Sequence, residues 1–319
     1  MSEVSGATAP VIGEEALDRL VGRGLIVVTG KGGVGKSALA AAIARALARR
    51  GRRTLTLEVD PRENLHQLFD VPPSGGQAVT VMPGLLLQNL KPQQVVDWVV
   101  RRQVKIEMLV KRVLDSPIYH RFVEGAPGLK EMAILGHALR LLRGETPGID
   151  AVDTVVLDAP ATGHGIYLLT ASRLFADAIG EGPFADMARE VAELTADAER
   201  TGLVVVTLAE EMPVQESLEL REALEEQFGR SPELLVINGV YPPVPEAATA
   251  TGGDADELLD LWRHRRQVNE RELNRLEQTW SGPRLVLPLE PVDRGAELVA
   301  RLERGLEERP VNGTEALLP

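Results

Sequence analysis

Short runs of apolar residues recur along the chain at Leu25–Thr29, Thr54–Val59, Val152–Leu157, Leu203–Leu208, Leu234–Ile237 and Leu285–Leu287. Each is apolar nearly throughout and does not alternate with polar residues, which is the pattern of a strand covered on both faces, as in a parallel sheet. Helical periodicity fills the intervals at Lys36–Arg50, Val214–Phe228, Ala255–Trp280 and Asp293–Glu308. The alternation predicts an α/β fold, doubly wound around a mostly parallel sheet.

One interval is too long for a simple crossover. After Asp60 comes a strand-like Leu85–Leu90, then a segment from Pro92 to Arg143 that reads as helix. Within it Ile106, Leu109, Val110, Val113 and Leu114 recur at the spacing of one helix face. A second helix, Leu129–Arg143, carries apolar residues around more of its circumference than one stripe requires, and Ile166–Glu199 continues the helical pattern. These pieces, 92–145 and 165–200, are read as a helical subdomain inserted in a single domain spanning 1–319. Its wide apolar faces, with Leu135, Leu139 and Leu142, are expected to form a groove for a client helix. Pro242–Asp254 reads as a loop, and 1–13 and 310–319 as flexible tails.

Composition narrows the function. The net charge of −12 disfavours a phosphate-backbone partner, so no nucleic acid is expected. The absence of cysteine removes disulfides, thiolate metal sites and a cysteine nucleophile. His66, His120, His137 and His264 are scattered without metal-ligand spacing. The longest uncharged stretch, Val71–Leu90, is interrupted by prolines and glycines and is no membrane span. No signal peptide is evident, so the expected location is the cytoplasm, or the periphery of a membrane.

The strongest chemical signal is Gly30-Lys31-Gly32-Gly33-Val34-Gly35-Lys36-Ser37, followed by Ala38. It fits G-x-x-x-x-G-K-[ST], in which backbone amides cradle phosphates at a helix N-terminus. Lys36 then reaches the β and γ phosphates and Ser37 ligates Mg²⁺. Gly30, Gly32 and Gly35 also satisfy G-x-G-x-x-G, but Lys36 and Ser37 decide for a nucleoside triphosphate. Lys31 adds a second cation; the chain has only six lysines and two lie in this loop. Val59-Asp60-Pro61 ends the second strand, and Asp158-Ala159-Pro160-Ala161-Thr162-Gly163-His164 ends the third.

GKGGVGKS resembles the deviant phosphate loop of the class that includes partition, septum-positioning and nitrogenase-reductase ATPases. With D-A-P-A-T-G-H it resembles the arsenite-pump-driving and tail-anchored-protein-targeting ATPases. The likeness runs from about Gly30 to Gly295 and includes Pro127–Met132, Ile237-Asn238 and Leu287-Pro288-Leu289. The resemblance implies ATP and Mg²⁺ as substrate and cofactor, Asp60 in the first switch, and Asp158 near the metal. It further implies His164 in the second switch, Asn238 against adenine, Pro288 close to the nucleotide, and Lys31 reaching a dimer partner's nucleotide. The catalytic candidates are therefore Asp60, Lys31 and Lys36, with Ser37 and Asp158 at the metal. Implied partners are a second copy or a paralogue, a hydrophobic client helix and a membrane receptor. The expected function is a Mg²⁺-dependent ATPase whose nucleotide-driven dimer switch controls a helical apolar surface for membrane proteins. The alternatives are a partition or septum-positioning ATPase, or the motor of an arsenite-like anion pump. Thiolates of the pump family and its relatives' C-x-x-C zinc clamp have no counterpart around Leu261–Arg271.

Overall fold

A computed structural model describes residues 13–59, 63–103, 106–159, 165–244 and 254–307. Its centre is an eight-stranded sheet in the order β3-β4-β2-β5-β1-β6-β7-β8. The expected runs all appear, as β1 (Leu25–Gly30), β2 (Thr54–Glu58), β4 (Leu85–Asn89), β5 (Thr154–Asp158), β6 (Thr201–Leu208), β7 (Leu234–Val240) and β8 (Arg284–Pro288). All of these pair in parallel. The fold is thus the doubly wound α/β arrangement that the pattern predicts. The chain runs outward from β1 on one side as far as β4, returns through β5, and crosses to β6 on the other. That reversal opens a crevice at the carboxyl ends of the central strands.

β3 (Val79–Met82) went unrecognised in the pattern. It is a four-residue edge strand, antiparallel to β4, and none of its side chains is fully buried. Its sequence therefore lacks the apolar run that marks the others. Pro83 and Gly84, the latter at φ +83°, form the turn between the two strands.

One face of the sheet is covered by α1 (Gly13–Asp18), α2 (Lys36–Arg49), α3 (Leu65–Phe69) and α12 (Ala296–Glu307). Gly13, expected in a tail, opens α1; the remainder of both tails lies outside the described residues, as do residues 245–253 of the expected loop. α2 is alanine-rich and buried on nearly all sides, and its small side chains let it lie close against Ile26, Val28 and Val156 while α12 packs outside it.

The opposite face carries α4 (Pro92–Gln103), α7 (Leu129–Arg143), α8 (Gly165–Ile179), α9 (Pro183–Ala196), α10 (Glu211–Phe228) and α11 (Asp254–Thr279). Here the helical expectations need correction. Pro92–Arg143 is broken into α4, α5 (Glu107–Leu114), α6 (Pro117–Gly125) and α7. Ser116 caps α6 by accepting from the Ile118 amide at 3.2 Å, with Pro117 opening the helix. Ile166–Glu199 is likewise divided, at Gly180 and Gly182 with φ of +78° and +112°.

The groove expected on α7 does not exist there. Leu129, Met132, Leu135 and Leu139 are buried against sheet residues Leu25, Leu55 and Val155 in one continuous core. On the far side a Cβ at Gly136 would sit 2.9 Å from Met187 Sδ of α9, so α7 is enclosed by helix as well as sheet. Its breadth of apolar surface reflects contact on both sides. The α5 stripe behaves oppositely: Val110 is buried, but Ile106 and Leu109 are 60% and 45% exposed. Leu135→Ala should therefore cost about 2–5 kcal/mol of stability through a cavity that neighbours cannot close. Urea unfolding measures it; a loss near zero would mean that α7 is not core.

Candidate nucleotide-binding site

β1 delivers the glycine-rich segment to the crevice, and two of its glycines are imposed by close approach. Gly30 sits at φ +145°, and a Cβ there would lie 2.1 Å from the Val206 carbonyl of β6. Gly35, at φ +94°, leaves no room for a Cβ beside Asn238 Nδ2 at 2.4 Å. Gly35 is also the N-cap of α2, where no side chain caps the helix and no acidic residue occupies the first turn. The first-turn amides and the helix dipole thus face the crevice without a competing anion of their own. Gly32 and Gly33 form the exposed crest of the loop, while Val34 and Ala38 are buried below it.

Lys36 is buried, and its Nζ donates to the Lys31 carbonyl at 2.9 Å. Burial pushes its pKa below the usual lysine value, and the Asp158 carboxylate opposes that shift. Ser37 Oγ donates to Asp158 Oδ2 at 2.6 Å, joining the first turn of α2 to the end of β5. These side chains share a cavity of about 580 Å³ with Gly33, Gly35 and Ala38. A serine hydroxyl and a carboxylate as hard oxygen donors suit Mg²⁺, which characteristically takes one or two protein oxygens and completes its shell with water and phosphate. Among the described residues no three His, Asp or Glu side chains cluster as a metal site.

Asp60 and His164 lie outside the described residues. Val59, which precedes Asp60, and Ala159, the last described residue before 160–164, both line the cavity. Asn238, expected against adenine, donates from Nδ2 to the Val34 carbonyl at 3.0 Å and braces the glycine-rich loop. Pro288 ends β8 opposite Val240 and is not among the residues lining this cavity. Lys31 points away from the cavity. Its Nζ pairs with Glu216 Oε1 of α10 at 2.7 Å, beside a second cavity of about 670 Å³ with walls of Tyr167, Leu174 and Leu220.

Three residues that pattern reading missed also face the phosphate cavity. Asp293 and Arg294 stand at its rim, ahead of α12; the helical expectation had absorbed them, and the preceding proline-rich Leu287–Val292 was the available signal. Glu58 lies in its wall, only 2% exposed. It was hidden because it ends a strand, β2, that was read only as a buried run.

A parallel sheet with this loop after its central strand, an uncapped helix behind it and a Ser–Asp oxygen pair beside a buried lysine define a P-loop nucleoside triphosphatase fold. A family model described as anion-transporting ATPase matches residues 23–182, and the chain belongs to that family. It is 33% identical over 225 residues to ATPase BagA of Mycobacterium tuberculosis, covering 65% of this chain and 62% of the relative. An arsenical pump-driving ATPase of Escherichia coli is 30% identical over 301 residues, 89% of this chain and 49% of its own length. ATPase GET3B of Arabidopsis thaliana is 25% identical over 295 residues, 76% of this chain and 71% of that protein. The chain therefore spans 62% of the mycobacterial relative and about half of the bacterial pump protein. Among the described residues no helix is long and apolar enough to cross a membrane.

Proposed function

We propose that this chain hydrolyses ATP with Mg²⁺ and uses the nucleotide state to control an apolar helical surface that handles membrane-protein segments. The observation that carries the ATPase half is the Ser37–Asp158 oxygen pair at 2.6 Å, beside buried Lys36 at the uncapped start of α2. The amides of the glycine-rich loop bind and orient the triphosphate, and Lys36 neutralises charge at its β and γ positions. Ser37 and Asp158 hold Mg²⁺, which when bound neutralises negative charge on the phosphate oxygens. Asp60 orients the attacking water and accepts its proton, and His164 belongs to the segment that senses the γ-phosphate. Asn238 keeps the loop in shape from β7. Lys31 serves a second copy or a paralogue in trans. Its position outside the chain's own phosphate cavity supports that reading, and its ion pair with Glu216 is the contact it would exchange.

The client surface falls on α5 and α6 and not on α7. Ile106, Met108, Leu109 and Ile118 are 60%, 81%, 45% and 79% exposed, a concentration that a monomeric surface ordinarily avoids. α5 and α6 follow α4, whose preceding strand β4 lies next to β2, the strand that precedes Asp60 in the sequence, so a change at the γ-phosphate has a short route to them. An anion-pump motor remains the competing reading, because relatives carry that name; the lack of cysteine removes the thiolate ligands such a motor would use for arsenite.

Met108→Glu with Ile118→Asp should cut photocrosslinking of an apolar transmembrane peptide by about tenfold, since each buries a charge against the peptide's apolar face. ATP turnover and thermal midpoint should stay unchanged, because both side chains are exposed. Crosslinking equal to wild type would remove α5 and α6 as the client surface and leave the ATPase standing.

A further inference from the structure

Residues 101–121 hold six lysines and arginines against two acidic residues, in a chain whose net charge is −12. Five of the six lie at the end of α4 and on α5 and α6. Arg101 pairs with Glu107 at 3.1 Å. Among the described residues Lys111, Arg112 and Arg121 take part in no ion pair, and all three are exposed. Elsewhere arginines on helix surfaces meet a carboxylate, as Arg143 does Glu190, Arg189 does Asp186 and Arg263 does Asp260.

These cations are interleaved with apolar side chains. Val110 is the buried residue of α5, so Met108 and Arg112, two positions to either side, point away from the protein. α6 is held down by buried Tyr119 and Val123, and the Tyr119 hydroxyl donates to Asp97 of α4. Arg121, midway between those two, points outward, with Ile118 three residues before it on the same side. Each helix therefore turns outward one long apolar side chain beside one arginine. Leu109 and Val113 on α5 and Phe122 on α6 widen the apolar part.

An apolar transmembrane segment has no charge to offer Arg112 or Arg121, and an acidic soluble partner would have no use for exposed Met108 and Ile118. A bilayer carrying anionic lipid suits both. Apolar tips enter the boundary between headgroups and acyl chains, while arginine stems lie along them and the guanidiniums stay level with the headgroup phosphates. The rest of so acidic a chain is repelled from such a membrane, which fixes the direction of approach.

We propose that the outward face of α5 and α6 is a docking surface for an anionic lipid bilayer, with Met108 and Ile118 inserted and Lys111, Arg112 and Arg121 on headgroup phosphates. It goes beyond the client reading, which leaves the cations idle, and does not depend on a client being bound.

The test is sedimentation of the full chain with vesicles of phosphatidylcholine, alone or mixed with phosphatidylglycerol. Wild type should bind the mixed vesicles about tenfold or more tightly than the neutral ones, and added salt should release it. Arg112→Gln with Arg121→Gln should weaken binding to mixed vesicles by about tenfold. ATP turnover, thermal midpoint and crosslinking of the apolar transmembrane peptide should stay unchanged in that variant, since both side chains are exposed and charged. Met108→Ser with Ile118→Ser should also weaken vesicle binding by about tenfold, through lost insertion. Equal affinity for the two vesicle types, or wild-type binding in the arginine variant, overturns the proposal. Wild-type binding in the Met108→Ser/Ile118→Ser variant overturns it as well, because only a diffuse electrostatic attraction would remain. Retention of a polyglutamate peptide without retention of vesicles assigns the surface to an acidic protein and has the same consequence. The two readings fail separately: loss of vesicle binding with crosslinking intact supports lipid docking, and wild-type crosslinking in Met108→Glu/Ile118→Asp sinks the client reading without touching the vesicle result.

Discussion

Lys36→Ala should weaken ATP binding by about 10²–10³-fold, on the order of 3–4 kcal/mol. Lys36 is 7% exposed, and its burial disfavours the charged form of the ammonium. Asp158 opposes that tendency, and a triphosphate brought to the same place would oppose it far more strongly. In this structure the group rests on the Lys31 carbonyl, a neutral partner that it can exchange for phosphate oxygens without leaving the loop. Removing it leaves the amides of α2 as the main source of positive potential. Titration with a fluorescent ATP analogue measures the change, and circular dichroism checks that the variant is folded. Affinity equal to wild type would sink the assignment of the glycine-rich loop as the phosphate site.

Asp60→Asn should lower kcat by about 10²–10⁴-fold while ATP still binds, the range expected when a positioned acid–base group is lost. The substitution keeps the side chain's size and one acceptor oxygen, replaces the other by a donor, and removes the charge that polarises water. The loop, Lys36, Ser37 and Asp158 stay as they are, so the variant holds ATP uncleaved. If Lys31 acts in trans, that trapped state should also be the most dimeric, because ATP then contributes to the contact between subunits. Light scattering of Asp60→Asn with ATP against the nucleotide-free protein reads this directly. A monomer in both conditions would confine Lys31 to its pairing with Glu216. Turnover at the wild-type rate would remove Asp60 from the mechanism.

The correction at α7 and the legibility of the glycine-rich segment between β1 and α2 have different physical sources. Gly30–Ser37 is contiguous, and the loop geometry on which the proposed phosphate site rests is specified by a single octapeptide together with the strand before it and the helix after it. A periodic apolar helix reports only that it touches apolar matter. Whether that matter is the chain's own sheet or a foreign segment is not encoded in the period. Leu129–Arg143 touches the sheet on one side and α9 on another, and so is core. Glu107–Leu114 shows a cleaner stripe and yet leaves most of it in solvent.

The sequence by itself determined the strands of the parallel sheet, the doubly wound α/β class and the glycine-rich loop between β1 and α2. Each of these depends on local pattern or on short-range spacing, where propensity and burial act within a few residues. The tertiary structure alone decided which helices are covered, the Ser37–Asp158 pairing across 121 residues of chain, the bracing of Val34 by Asn238, and the hydrogen bond from the Asn64 amide to Glu58. It also added β3, whose pairing with β4 carries no apolar run of its own. These features arise where strands distant in the chain are brought side by side. No local preference of either partner records such a contact, because its energy exists only once the sheet has formed.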